Sequence, residues 1–289
     1  MARVRRDEFD GGVFARSRRT PPAMPYEQCN GADLYFEDEG SGTPLVFLPG
    51  VMTGVRFFTH QLGNLSDDYR TVALDYRGHG RSEKTETGHT VGQYASDLDA
   101  FLDRRDLDDA VLVGWSMGAL VAWEYVGQFG TDRVRGFVDV DMSASAFQWD
   151  YYDHGRSDSA RLTETLGFVQ TDHAAFIEGL VEAAFAEPPC PETRALVFDE
   201  VSRTPPPIKS AILFDYTMRD YRDVLPDIET PTLVCAGADE KWRTVAAVRD
   251  VADRLPNAEF ELFEESGHCI TVEEPERFNR RLREFVESL

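Results

Sequence analysis

The chain has 289 residues, 42% of them hydrophobic, enough for a sizeable core in one or two domains. Its formal net charge of −22, from 52 acidic against 30 basic residues, repels a phosphate backbone and argues against nucleic acid as a partner. No window approaches the ~20 apolar residues a membrane helix needs, so no membrane partner is expected.

The first 23 residues carry Arg3, Arg5, Arg6, Arg16, Arg18 and Arg19 against Asp7, Glu8 and Asp10. They lack both hydrophobic periodicity and the apolar run of a signal peptide. Residues 1–25 therefore read as a disordered tail, or as sequence preceding a true start at Met24. Without the first 23, the other 266 residues carry −25, and Lys84, Lys209 and Lys241 are the only lysines among mostly arginine cations. An acidic, lysine-poor surface suits solubility in molar salt, where the Debye length falls to about 3 Å at 1 M. Cys29, Cys190, Cys235 and Cys269 are widely spaced with no CxxC pair. Free thiols in a reducing cytosol are expected, and with them a cytoplasmic location.

In chain order, 26–40 reads as a hairpin turning at Asn30-Gly31, a pair that tolerates positive φ. "PLVFLPG" (44–50) is a continuous apolar run, as in a strand buried on both faces. A helix over 55–66 and a buried strand over 70–80 follow. Residues 91–105 are amphipathic, with Val91, Tyr94, Ala95, Leu98, Phe101 and Leu102 at helical spacing. Then come a strand at 109–115, a helix at 118–129 and a strand at 134–142. From 144 to 224 the alternation breaks into helical, aromatic-rich sequence interrupted by "RTPPPIK" (203–209). It resumes with a strand at 230–237, a helix at 244–255, a strand at 258–264 and a helix at 275–288. This alternation predicts a mainly parallel sheet covered on both faces: a core of 26–143 and 225–289, with 144–224 inserted.

Between the strand ending at Trp115 and the following helix lies Gly114-Trp115-Ser116-Met117-Gly118. G-x-S-x-G at a strand-to-helix turn is a nucleophile elbow. The turn strains the serine, lifts its hydroxyl above the sheet and sets the Met117 N–H beside it. A larger residue at Gly114 or Gly118 would clash with the adjoining helix and strand.

Here the chain resembles the α/β-hydrolase fold superfamily over residues 26–289. The landmarks are "FLPG" (47–50), "DYRGHGRS" (75–82), "GWSMG" (114–118), "TPTLVCAGADE" (230–240) and "ESGHCITVEEPERFN" (265–279), in that order. The resemblance implies an α/β-hydrolase fold: an eight-stranded, mainly parallel sheet flanked by helices, with the insertion as a helical cap. It implies Ser116 as nucleophile and His268, in the loop after the last strand, as base. His79 falls in a structural loop of the family, and the other histidines read as surface or cap residues. For the acid, the usual place after the strand "TLVCAG" is Glu240, with Asp239 beside it. Lys241-Trp242-Arg243 there departs from the family's apolar residue and proline, and some members place the acid where Asp141 stands. All three carboxylates stay open. The oxyanion donors are expected to be the N–H groups of Met117 and of Val51 in the loop after "PLVFLPG". Trp115, Phe57 and the cap aromatics, Phe147 and Trp149 first, are expected to line an apolar pocket.

No GxGxxG, P-loop or HExxH occurs, so no cofactor and no metal is expected. The expected activity is that of a serine hydrolase cleaving a small apolar carboxylic ester, lactone or thioester through an acyl-enzyme. A C–C bond hydrolase or a cofactor-free perhydrolase would use the same residues. A small-molecule receptor on the same fold is the reading from another class.

Overall fold

The computed structural model describes residues 25–289, so the expectations for the basic N-terminal stretch and for Met24 lie outside the described residues. The hairpin forms from β1 (Tyr26–Cys29) and β2 (Ala32–Gly40), with Asn30 and Gly31 at φ 47° and 79°. They are joined by β3 (Pro44–Leu48), β4 (Arg70–Leu74), β5 (Ala110–Trp115), β6 (Val134–Val140), β7 (Thr232–Gly237) and β8 (Ala258–Phe263). One eight-stranded sheet results, ordered β1-β2-β4-β3-β5-β6-β7-β8, antiparallel at β1–β2 and β2–β4 and parallel throughout the rest.

The continuous apolar runs are explained by burial on both faces. Along β3, Val46 and Leu48 join one core cluster, while Leu45 and Phe47 join the other. The first face is covered by α2 (Val91–Arg104), α3 (Met117–Phe129) and α8 (Val245–Arg254). The second is covered by α1 (Thr59–Leu65) and α10 (Pro275–Ser288), with the single turn α9 (Ile270–Glu273) between β8 and α10. Thr90 and Thr244 cap α2 and α8 by accepting from the N–H groups of Gln93 and Ala247.

Between β6 and β7 lie α4 (Ser159–Thr171), α5 (His173–Ala183), α6 (Pro191–Ser202) and α7 (Pro206–Thr217). The triple proline does not break a helix: Pro206 and Pro207 open α7, where a missing N–H is harmless. Val169, Ile177, Val181, Val197 and Val201 turn toward the second face and extend its core over one end of the sheet.

Two elements are shorter than their patterns predict. The expected helix over 55–66 splits into a 3-10 turn (Val55–Phe58) followed by α1. The expected strand over 70–80 ends at Leu74 because Asp75 turns inward. Its carboxylate accepts from the N–H groups of Val55 and Arg81, both at 2.7 Å, and fixes the two loops together. A Cβ on Gly80 would lie 2.0 Å from that carboxylate, so the loop closes only over a glycine.

Candidate active site

The parallel strands β3, β5, β6 and β7 end at one edge, and the candidate residues sit on the loops just past those ends. Ser116, directly after β5, has φ 54° and ψ −120°, a strained conformation for a residue with a side chain. A Cβ at Gly114 would stand 2.5 Å from the Ala119 nitrogen, and one at Gly118 would stand 2.1 Å from the Leu48 carbonyl. Both glycines are therefore required by close backbone approach. The Ser116 N–H donates to the Val140 carbonyl at 2.8 Å, tying the elbow to β6. Its hydroxyl makes no capping bond to α3 and is left for other chemistry.

His268 lies in the loop between β8 and α9, buried at 4% exposure. The Trp115 indole N–H donates to the His268 carbonyl at 2.7 Å, and the Trp115 ring stacks on Phe57 at 4.9 Å. The elbow thus carries its own brace for the histidine loop. Gly237 permits the close packing beneath, since a Cβ there would fall 2.0 Å from the Gly267 carbonyl.

Two of the three candidate carboxylates reach His268. Asp141, at φ 56° just past β6, has Oδ2 2.7 Å from Nδ1 and accepts a hydrogen bond if that nitrogen carries the proton. Glu240, past β7, has Oε2 at the same 2.7 Å but without hydrogen-bond geometry. Its other oxygen accepts from the N–H groups of Trp242 and Arg243. Asp239 is solvent-exposed and is not within ion-pair distance of the imidazole. Of the carboxylates, Asp141 alone hydrogen-bonds to the imidazole, with Glu240 at contact distance beside it. β6 and β7 are neighbours, so the loops beyond them converge on the same nitrogen.

The electrostatics follow from this crowding. Burial, with the charge of Glu240 beside it, pushes the Asp141 carboxyl well above the ordinary carboxylate range. Burial also pushes Glu240 up, but the charges of His268 and Arg243 outweigh it and hold Glu240 below the usual range. For His268, burial lowers the imidazole, while the Glu240 charge and both carboxylate contacts raise it to a net value above the ordinary one. Asp141, Glu240 and His268 are also the one group among the described residues able to hold a metal, their ligand atoms lying within 4.8 Å of one another. A hydrogen-bonded acid–base set accounts for the same atoms without an ion.

Ser116 and His268 line one cavity of about 450 Å³ together with Val51, Phe57 and Trp115. A Cβ on Gly50 would stand 3.3 Å from the Ser116 Cβ, so the backbone leading to Val51 passes directly beside the serine. Met117 opens α3, and the first N–H groups of a helix have no intrahelical acceptor. Phe168, Phe176 and Tyr216 supply the aromatic lining. Phe147 and Trp149 do not line the cavity. They pack against each other at 4.9 Å, and the Trp149 indole is held by Ser145 Oγ at 3.0 Å, in the connection before α4. The pairing satisfies their surfaces within that connection, which the aromatic content of the segment did not reveal.

Among the lining residues that the sequence did not assign to the site are Trp242, Arg243, Arg156, Arg161 and His154. Trp242 meets the His268 ring edge-on at 4.9 Å. The signal for the first two was Lys241-Trp242-Arg243, which departs from the pattern that the family resemblance implied. His79 is fully buried, and burial pushes its imidazole down to about 3, keeping it neutral beside the Arg77 carbonyl.

The model of the alpha/beta hydrolase family matches residues 45–281. The chain belongs to this family. Within the alpha/beta hydrolases it is 31% identical to the non-heme chloroperoxidase CPO-A1 of Kitasatospora aureofaciens, over 89% of this chain and 97% of the relative. It is 24% identical to 2-(acetamidomethylene)succinate hydrolase of Mesorhizobium japonicum, over 88% and 92%. It superimposes on an esterase from Exiguobacterium antarcticum with a TM-score of 0.87 at 26% identity, covering 91% and 98% of the two chains. No helix among the described residues is long and apolar enough to cross a membrane.

Proposed function

We propose that this alpha/beta hydrolase is a serine hydrolase that cleaves a small carboxylic ester, lactone or thioester through an acyl-enzyme on Ser116. The observation that carries the reading is Ser116, held at positive φ with its hydroxyl uncommitted, in the same cavity as an imidazole whose far nitrogen is held by carboxylates. His268 Nε2 takes the Ser116 proton as Oγ attacks the carbonyl carbon. The Val51 and Met117 N–H groups receive the developing oxyanion. As the C–O bond breaks, Nε2 returns the proton to the leaving alcohol. Water then repeats the sequence on the acyl group, releasing the acid and restoring the serine. Helices α4–α7 act as the cap over the cavity, contributing Phe168, Phe176 and Tyr216. Turnover of 4-nitrophenyl acetate and butyrate, with fluorophosphonate labelling at Ser116, tests the reading. Binding of such compounds without turnover would make the protein a receptor instead.

A second reading has one specific observation behind it, the similarity to a chloroperoxidase. Hydrogen peroxide in place of water would attack the same acyl-enzyme, giving a peroxy acid and free Ser116. Peroxide-dependent halogenation in the presence of acetate would favour it.

The base must be neutral to act, so kcat/KM should rise with pH through the pKa of His268. Since His268 is raised, the acid limb should lie above the ordinary histidine value. Glu240→Gln removes the largest raising influence and should move that limb to lower pH. A limb that stays in place both in this variant and in the double Asp141→Asn, Glu240→Gln would show that the carboxylates do not act on the imidazole.

The acidic composition supports adaptation to molar salt. The midpoint of thermal unfolding should climb steeply from about 0.1 to about 3 M KCl as self-repulsion is screened. A flat profile would leave an ordinary acidic enzyme. Cys29, Cys190, Cys235 and Cys269 are all unpaired, which fits a reducing, cytoplasmic setting.

A further inference from the structure

The cavity that holds Ser116 is lined by no aspartate or glutamate, in a chain with 52 of them, yet it is lined by Arg156, Arg161 and Arg243. Several arginines elsewhere are doubly paired: Arg105, Arg133, Arg219 and Arg277 each bridge two carboxylates. Arg243 differs. It is 8% exposed, and among the described residues no carboxylate oxygen lies within 4.0 Å of its guanidinium. Its Nε has no hydrogen-bond partner, and its Nη1 stands 3.4 Å from His268 Nδ1. A guanidinium cannot shed its charge at working pH, and Glu240, on which that charge acts, lies beyond ion-pair distance of it, so the buried fork has no direct anionic partner. It also opposes the imidazolium that the reaction forms beside it. Both penalties are relieved if the anion arrives with the substrate. Arg156 and Arg161 are exposed lining residues with no ion-pair partner among the described residues. Unpaired cations at a cavity attract anions that an acidic exterior repels.

We propose that the cavity is built for an ester or lactone that itself carries a carboxylate, with Arg243 as the specificity-determining residue that pairs with it. The planar fork of the guanidinium matches a carboxylate, and the apolar walls hold the carbon chain between that group and the scissile carbonyl. This rests on the serine-hydrolase reading above and adds the substrate class to it.

The test compares charged and neutral esters of equal length at fixed ionic strength. The 4-nitrophenyl hemiesters of succinate, glutarate and adipate are set against their methyl 4-nitrophenyl diesters, and 4-acetoxybenzoate against its methyl ester for a carboxylate on the leaving group. In at least one series the parent should prefer the charged ester in kcat/KM by ten-fold or more. Arg243→Gln should reduce that ratio at least ten-fold, chiefly through KM for the charged ester, and Arg243→Lys should retain part of it. The ratio isolates the guanidinium, because both esters share the acyl-transfer machinery. A ratio near one in every series, or one that survives Arg243→Gln, overturns the proposal and leaves the hydrolase reading standing. If no ester is turned over, the hydrolase reading fails, and calorimetric titration with succinate and glutarate decides the site on its own. Binding by the parent that is lost in Arg243→Gln supports the carboxylate site, and no binding by the parent overturns it.

Discussion

Ser116→Ala should abolish ester turnover, with a loss on the order of 10⁵–10⁶ in kcat, while the protein stays folded. The hydroxyl makes no capping bond to α3, and the elbow is tied down through the Ser116 backbone N–H on Val140. Alanine occupies the φ of 54° under the same strain as serine, so the unfolding midpoint should move little. The tight elbow is imposed by Gly114 and Gly118, not by the side chain between them. Residual activity within ten-fold of the parent would remove Ser116 as nucleophile. So would fluorophosphonate labelling that persists in the variant at the parent's rate.

The double replacement Asp141→Asn with Glu240→Gln should lower kcat by up to about 10⁴, whereas each single replacement should lower it by only about ten-fold. The reason is the shared distance: both carboxylates stand 2.7 Å from His268 Nδ1. In Asp141→Asn, Glu240 remains ionised beside the nitrogen. In Glu240→Gln, a charge that raised the Asp141 carboxyl disappears, so Asp141 ionises at lower pH and holds the imidazole alone. Each covers for the other, and the two effects should be far from additive. The comparison belongs on the pH plateau of each variant, since Glu240→Gln displaces the acid limb. A single variant as damaged as the double would identify that residue as the sole acid. A double variant within ten-fold of the parent would show that Ser116 and His268 work without one. Asp239→Asn, on an exposed side chain, serves as the control and should match the parent.

Much of the molecule was legible before any coordinates. Strands buried on both faces advertise themselves as unbroken apolar runs, and the hairpin is announced by Asn30-Gly31. The elbow was readable because its geometry has a local cause: Gly114 and Gly118 are demanded by atoms the fold always places there, α3 on one side and Leu48 on the other. The end of β4 was less legible. Whether Asp75 continues the strand or turns in to receive two N–H groups depends on Val55, twenty residues earlier.

Local chemistry in the chain therefore determined the alternation of strands and helices, the position of the strained serine and the loop that presents His268. The first two rest on spacing and on residues near one another in sequence, and the last on the ordered landmarks of the family resemblance. The tertiary structure alone decided how many carboxylates reach the imidazole, because Asp141 and Glu240 meet only where β6 and β7 run side by side. It also decided which aromatics face the cavity, since Phe147 and Trp149 pair with each other while Phe168, Phe176 and Tyr216 line it. And it alone left the buried Arg243 guanidinium without a carboxylate within ion-pair distance, because a charge's partners are set by three-dimensional neighbours and not by composition.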